Sequence, residues 1–182
     1  MRHLPNALTV LRLIIAPLLG WMLIEGWYRT AFGAFALAGL SDALDGYLAK
    51  RLAPDSKFGA WLDPAADKAL MVVAFVTLAV IGASPVWLTA LVIARDVAIV
   101  AGILLLMVVG AGFRMAPLLI GKVCTALQIA YVALVLVGLA LRVELPGLRS
   151  LFGPVVAIAT LASWLAYGQI LVRSLFLRRG TV

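Results

Sequence analysis

The sequence predicts an all-α fold: a polytopic integral membrane protein with six transmembrane helices and an N-in, C-in orientation. Three observations support this, namely the composition, the apolar segments and the placement of basic residues. Of 182 residues, 65% are hydrophobic and 13% are charged, and the mean hydropathy is +1.14. Soluble domains carry about 25% charged residues, and a soluble fold of this length would expose a large apolar patch. These figures exclude a soluble enzyme, a disulfide-bonded secreted scaffold and a disordered binding region.

Six apolar segments are each bounded by charged residues, Gly or Pro. A helix needs roughly 20 apolar residues to cross a bilayer, and open strands would leave backbone groups unpaired in lipid. The predicted spans are residues 8–25, 30–49, 60–82, 86–110, 118–141 and 151–171. The connections are short and we see no repeat, so residues 1–182 are interpreted as a single domain.

The distribution of Lys and Arg gives the orientation of these spans, because cytoplasmic loops carry an excess of both. With the N-terminus inside, the outer side receives Arg29, Arg142 and Arg149, and the other loop and terminal cations fall inside. The net charge of +7 then indicates contact with anionic membrane lipids rather than with nucleic acid. We expect the inner membrane of a bacterium.

Four of the eight acidic residues lie at the predicted cytoplasmic ends of spans two and three. They are Asp42 and Asp45, spaced i,i+3, and Asp63 and Asp67, spaced i,i+4, so each pair shares one helix face. Ionisable residues at membrane depth are costly and mark functional sites. Four neighbouring carboxylates repel unless cations neutralise them, and hard divalent cations prefer oxygen ligands. The spacing therefore predicts a site for two divalent metal ions, Mg²⁺ or Mn²⁺, facing the cytoplasm.

The segment from Asp42 to Asp67 resembles the signature of the CDP-alcohol phosphatidyltransferase family, D-x2-D-G-x2-A-R-x8-G-x3-D-x3-D. It departs at Lys50, where the family has Arg; Lys keeps the charge but lacks the bidentate fork that suits phosphate. The opening around Asn6, Thr9 and Arg12 is also similar to the family's opening. Further stretches are most similar to the family's CMP-forming cardiolipin synthases, and next to its phosphatidylglycerophosphate synthases. These stretches are residues 35–46, 62–68, 95–97 and 121–128.

The resemblance implies transfer of a phosphatidyl group from CDP-diacylglycerol to a hydroxyl, with release of CMP, by a homodimer. It assigns the metals to Asp42, Asp45, Asp63 and Asp67, with Asp67 also acting as the base. The residues expected to bind the nucleotide and the diphosphate are Gly46, Ala49, Lys50, Gly59, Asn6, Thr9 and Arg12. The structural alternatives are helix packing for the small residues, and helix capping or contact with lipid headgroups for the N-terminal residues.

Cations near the predicted cytoplasmic ends favour an anionic acceptor. Arg95, Arg114 and Lys122 suit a phosphate, although Arg95 beside Asp96 is also compatible with a structural ion pair. Phosphatidylglycerol and glycerol 3-phosphate both fit, and the finer resemblance favours phosphatidylglycerol, which would give cardiolipin.

Two alternatives from other classes are an ion-coupled transporter and an intramembrane aspartyl protease. A transporter would spread its acids along a pathway in two related halves, whereas these acids cluster. A protease would need only two aspartates.

Overall fold

The computed structural model describes the backbone of residues 4–49, 59–108, 118–143 and 146–176, and within them the side chains of 11–41, 68–106, 108, 118–143 and 147–174. All the regular structure in these ranges is helical, which confirms the predicted all-α class. The helices are α1 Leu4–Ile24, α2 Tyr28–Ala49, α3 Gly59–Val80, α4 Val86–Val108, α5 Leu119–Leu141 and α6 Pro146–Phe176.

Each predicted span coincides with one helix, but α6 is longer than expected. The apolar pattern predicts residues 151–171, whereas the helix begins at Pro146 and continues to Phe176. Proline suits a first helical position because its missing N–H needs no partner there. Pro17 in α1 and Pro154 in α6 lie inside their helices, which membrane helices tolerate better than soluble ones.

Three of the described helices are long and apolar enough to cross a bilayer. They are Val86–Leu106, Leu119–Leu141 and Gly147–Ser174, in which only 28%, 44% and 22% of the most apolar window is buried. Large apolar side chains therefore cover most of their surface, and a membrane provides the surroundings in which such a surface is stable. Leu11–Ile24 and Lys68–Val80 are shorter apolar helical stretches. The six-span topology and the N-in, C-in orientation remain predictions.

The chain divides into two compact units. The first comprises Met1–Val86 and Val132–Leu145, and in it α1 packs against both α2 and α3. Fully buried apolar side chains form its core: Leu19, Leu23, Phe75, Leu78, Val135 and Leu136. Two tight turns shorten its connections, because Gly26 (φ 76°) and Gly82 (φ 73°) adopt the left-handed conformation that ends a helix.

A glycine permits the close approach of α1 to α3. A Cβ added to Gly20 would lie 3.0 Å from Val73 Cγ1 and 3.3 Å from Thr77 Oγ1. Small residues at such crossings let two backbones approach, and dispersion contacts then stabilise the helix pair. The close contact of α1 with α3, which carries two of the aspartates, therefore depends on the absence of a side chain here.

The second unit comprises Trp87–Tyr131 and Pro146–Val182. Its core combines buried apolar residues such as Leu88 and Val156 with buried polar residues. The polar members are Thr89, Arg95, Gln128, Thr160 and Ser163. Buried polar groups are stable only when they are hydrogen-bonded, so their partners determine how this unit is held together.

We predict that Gly20→Val lowers the thermal stability of the protein in detergent. The added side chain overpacks the α1–α3 contact, which typically costs about 1–3 kcal/mol. Thermal unfolding followed by circular dichroism measures the effect as a lower midpoint.

Gly33→Val is the matched control for this change, because Gly33 also lies within a helix of the first unit and an added Cβ meets nothing within 4 Å. Equal midpoints for the two variants would contradict the packing argument.

Candidate active site

The four signature aspartates lie on the helical backbone of α2 and α3. Asp42 and Asp45 fall in the last two turns of α2, and Asp63 and Asp67 fall within the first three turns of α3. The helical spacing assumed for each pair is therefore present in the backbone. Their side chains lie outside the described residues, among which no cluster of three or more His, Cys, Asp or Glu is found. Metal binding by these aspartates remains a prediction.

The residues predicted to bind the nucleotide and the diphosphate occupy the ends of the same helices. Gly46 and Ala49 lie in the last turn of α2, and Gly59 is the first residue of α3. Lys50 follows α2 and lies outside the described residues. Asn6 and Thr9 fall in the first two turns of α1, and their side chains are also outside the described part.

Arg12 is the one predicted nucleotide contact whose side chain is described. It is only 2% exposed and is the largest of the fully buried side chains in the described residues. This burial argues against the alternative of an interfacial arginine that contacts lipid headgroups. A buried guanidinium is stable only with paired or hydrogen-bonding groups around it, so Arg12 belongs to the interior of the first unit.

In the second unit, Arg95 of α4 is buried and held on several sides. It is 5% exposed, and its Nη1 donates to Asp96 Oδ1 at 2.7 Å. Its Nη2 and Nε both donate to Ser163 Oγ of α6, at 2.7 Å and 3.3 Å. The guanidinium carbon lies 5.9 Å from the centroid of the Tyr167 ring, within cation–π range. The ion pair with Asp96 considered from the sequence is therefore formed.

The hydroxyl-bearing face of α6 is a feature that the sequence analysis missed. Thr160, Ser163 and Tyr167 are spaced i, i+3 and i+7, so they lie on one side of the helix. The apolar pattern predicts this segment only as a membrane span. The spacing of the three hydroxyls within it was the signal that could have identified the polar face.

A second buried polar group joins α5 to α6. Gln128 Nε2 donates to Thr160 Oγ1 at 3.4 Å and to Cys124 Sγ at 3.5 Å. Thr160 Oγ1 in turn donates to the Val156 carbonyl at 2.7 Å. Hydrogen bonds between membrane helices contribute about 0.6 kcal/mol on average. This group therefore stabilises the α5–α6 contact.

Tyr167 connects Arg95 with the start of α5. A Cβ added to Gly121 would lie 2.8 Å from the Tyr167 Oη, so the phenol packs directly against the α5 backbone. Lys122, the next residue, is exposed. Arg114 lies outside the described residues. Of the three cations predicted to bind the acceptor, Arg95 is thus fixed in the interior and Lys122 lies on the surface of the same unit.

A shallow apolar groove runs beside Tyr167 between α4 and α6. Small residues line it, namely Ala98 and Gly102 of α4 and Gly168 of α6, together with Trp164 and Leu171. Gly168 leaves open space, because an added Cβ would meet nothing within 4 Å. The groove therefore places an apolar surface next to the Tyr167 ring, and this ring faces the Arg95 guanidinium.

The sequence is similar to known proteins over most of its length. The profile of the CDP-alcohol phosphatidyltransferase family matches residues 2–174. The chain is 32% identical to the chloroplastic CDP-diacylglycerol–glycerol-3-phosphate 3-phosphatidyltransferase 1 of Oryza sativa subsp. japonica, over 91% of this chain and 56% of the relative. It is 38% identical to the CMP-forming cardiolipin synthase of Homo sapiens, over 71% of this chain and 48% of the relative.

A bacterial relative is the CDP-diacylglycerol–glycerol-3-phosphate 3-phosphatidyltransferase of Pseudomonas fluorescens, 43% identical over 53% of this chain and 52% of the relative. The chain thus spans about half the length of these curated relatives. Their names divide between glycerol-3-phosphate 3-phosphatidyltransferase and cardiolipin synthase. The family profile covers nearly all of the sequence. The chain belongs to the CDP-alcohol phosphatidyltransferase family.

Proposed function

We propose that this protein transfers the phosphatidyl group of CDP-diacylglycerol to a hydroxyl of phosphatidylglycerol, forming cardiolipin and releasing CMP. The observation that carries the proposal is the aspartate signature, whose two halves fall on the helical ends of α2 and α3. Membership of the family supports the same reaction class. We also propose a homodimer in a bacterial inner membrane, with the aspartates facing the cytoplasm.

The proposed cofactor is a pair of divalent metal ions, Mg²⁺ or Mn²⁺. Its ligands would be Asp42, Asp45, Asp63 and Asp67, and four carboxylates are the hard oxygen donors that these ions prefer. When bound, the ions would neutralise charge on the diphosphate and on the departing phosphate. Gly46, whose hydrogen side chain leaves room for close approach, suits a position beside that diphosphate.

The reaction exchanges one phosphorus–oxygen bond for another. The acceptor hydroxyl oxygen bonds to the phosphorus that carries the diacylglycerol, and the bond from this phosphorus to the oxygen bridging to CMP breaks. CMP leaves with the electron pair, and a carboxylate of Asp67 takes the hydroxyl proton as general base. Positive charge from Lys50, which keeps the charge of the family's Arg, is proposed to offset the charge of the diphosphate.

The acceptor is proposed to bind in the second unit through its phosphate. Arg114 and Lys122 would supply positive charge, and Arg95 would supply guanidinium N–H donors that suit two phosphate oxygens. The groove beside Tyr167 offers an apolar surface for an acyl chain, which phosphatidylglycerol has and glycerol 3-phosphate lacks. Glycerol 3-phosphate remains the alternative acceptor, since two of the relatives described above are named for it.

Transport is the alternative from another class. Buried ionisable residues also line transport pathways, but the family profile over residues 2–174 supports group transfer. Ion flux across proteoliposomes that persists in Asp67→Asn, with no CMP released by the wild type, would favour a transporter.

We predict that purified protein with radiolabelled CDP-diacylglycerol and Mg²⁺ or Mn²⁺ forms labelled cardiolipin when phosphatidylglycerol is supplied. Thin-layer separation of the product, with CMP measured in parallel, identifies the acceptor. Turnover with glycerol 3-phosphate alone would replace the proposed acceptor, and no turnover with either would overturn the proposed reaction.

Asp67→Asn is expected to lower kcat by about 10²–10⁴-fold, because the amide cannot accept the hydroxyl proton. Binding of metal and CDP-diacylglycerol is expected to persist, since the other aspartates remain. Single-turnover CMP release and equilibrium binding separate the two effects.

The control for Asp67→Asn is Glu25→Gln, which neutralises an exposed carboxylate just after the end of α1 and is expected to leave kcat unchanged. A fully active Asp67→Asn protein would exclude Asp67 as the base.

Filling the groove with Gly168→Leu is expected to raise the KM for phosphatidylglycerol several-fold, because the new side chain competes with an acyl chain for the same surface. The KM for the deacylated acceptor glycerophosphoglycerol is expected to change little. Steady-state kinetics in mixed micelles measure both constants.

Gly39→Leu provides the comparison for the groove variant, since an added Cβ at Gly39 also meets nothing within 4 Å and α2 does not line the groove. An unchanged KM for phosphatidylglycerol in Gly168→Leu would rule out the groove as the acyl-chain site.

A further inference from the structure

Ser163 differs from four other hydroxyl residues in the described helices. A helical Ser or Thr commonly returns its hydroxyl to the carbonyl four residues earlier. Ser41, Thr125, Thr160 and Ser174 all do so, at 2.7–3.1 Å. The Ser163 oxygen instead accepts two N–H groups from Arg95 of another helix, and its residue is fully buried at 0% exposure.

The contacts around Arg95 fix the plane of its guanidinium. Ser163 binds the edge formed by Nε and Nη2, Asp96 binds Nη1, and the Tyr167 ring lies 5.9 Å from the guanidinium carbon. An arginine side chain carries five N–H groups, and these hydrogen bonds use three of them. Within the described part of the chain, one further N–H on each of Nη1 and Nη2 has no partner, and a guanidinium can direct such N–H groups at two phosphate oxygens.

Orientation matters more than net charge at this arginine. The carboxylate of Asp96 at 2.7 Å offsets the positive charge of Arg95, so the pair attracts an anion at a distance only weakly. Affinity for a phosphate then depends on directed N–H donors, which are effective only when the guanidinium is held still. Ser163 provides this constraint without adding a charge.

We infer that Ser163 is a positioning residue, which holds the Arg95 guanidinium in the orientation that binds the phosphate of the acceptor. The inference rests on the proposed function, and it concerns the group that both acceptors share, a phosphate ester of glycerol. Ser163 itself touches neither substrate in this account and acts through Arg95.

Ser163→Ala is expected to raise the KM for the acceptor about tenfold, while kcat and the KM for CDP-diacylglycerol change less than about twofold. Steady-state kinetics are run separately with phosphatidylglycerol and with glycerol 3-phosphate. They show for which of the two acceptors the KM rises. Ser163→Thr keeps the hydroxyl oxygen and is expected to restore the acceptor KM.

The matched control is Thr160→Val, one turn earlier on α6. Thr160 is also 0% exposed, and its variant exchanges the hydroxyl for a methyl group of similar size. Its described contacts are with Val156, Gln128 and Cys124 rather than with Arg95. Its acceptor KM is expected to stay at the wild-type value. An equal rise of the acceptor KM in Ser163→Ala and Thr160→Val would show a structural role and overturn the inference. An equal rise of the KM for the acceptor and for CDP-diacylglycerol in Ser163→Ala would do the same.

A double-mutant cycle with Arg95→Lys keeps the inference testable if Ser163→Ala lowers the thermal midpoint. Lysine lacks the planar fork that Ser163 orients, so adding Ser163→Ala to Arg95→Lys is expected to raise the acceptor KM no further. Additive effects of the two changes would overturn the inference.

Direct binding separates this inference from the proposed reaction. Wild-type protein that releases no CMP overturns the reaction, and the inference is then judged by titration of glycerol 3-phosphate and phosphatidylglycerol micelles. Weaker binding of either by Ser163→Ala than by Thr160→Val supports the positioning role. If Ser163→Ala and Thr160→Val bind glycerol 3-phosphate with equal affinity, and also bind phosphatidylglycerol with equal affinity, the inference is overturned.

Discussion

The free-energy cost of a charged side chain among apolar helices is the constraint on which the rest of this protein depends. Where the structure describes a buried cation and its partners, at Arg95, the cost is met within the chain by a carboxylate, a hydroxyl and an aromatic ring. Such a group is retained only when its surroundings compensate for desolvation. Three helices meet at this point, because α4 supplies the guanidinium and Asp96, α6 supplies Ser163 and Tyr167, and α5 accommodates Tyr167 at Gly121.

The aspartates present the same problem with the opposite sign. Their spacing on α2 and α3 concentrates carboxylates at two helix ends, where bound cations would offset the repulsion between them. We propose that divalent ions solve this problem and that the resulting site accepts a diphosphate. In this proposal the aspartates hold the ions that neutralise one substrate, and Arg95 orients the other.

The sequence was sufficient to predict the helices, because six apolar segments of membrane length leave little alternative in lipid. It was insufficient for the ends of α6, where the helix runs beyond the apolar pattern from Pro146 to Phe176. The contact of Arg95 with Ser163 could not be predicted, because the two residues lie 68 positions apart and the sequence does not specify which helices pack together. The glycine contact at Gly20 also depends on which helices pack together, which periodicity does not specify.

We propose above all that the signature aspartates bind two divalent metal ions. Counting Mn²⁺ bound to purified protein by electron paramagnetic resonance, with CDP-diacylglycerol present, tests it most directly. We expect two ions per chain in the wild type and in Glu25→Gln, and a clear loss in Asp42→Asn combined with Asp63→Asn. No bound Mn²⁺ in the wild type, or full binding in the double variant, would contradict the account.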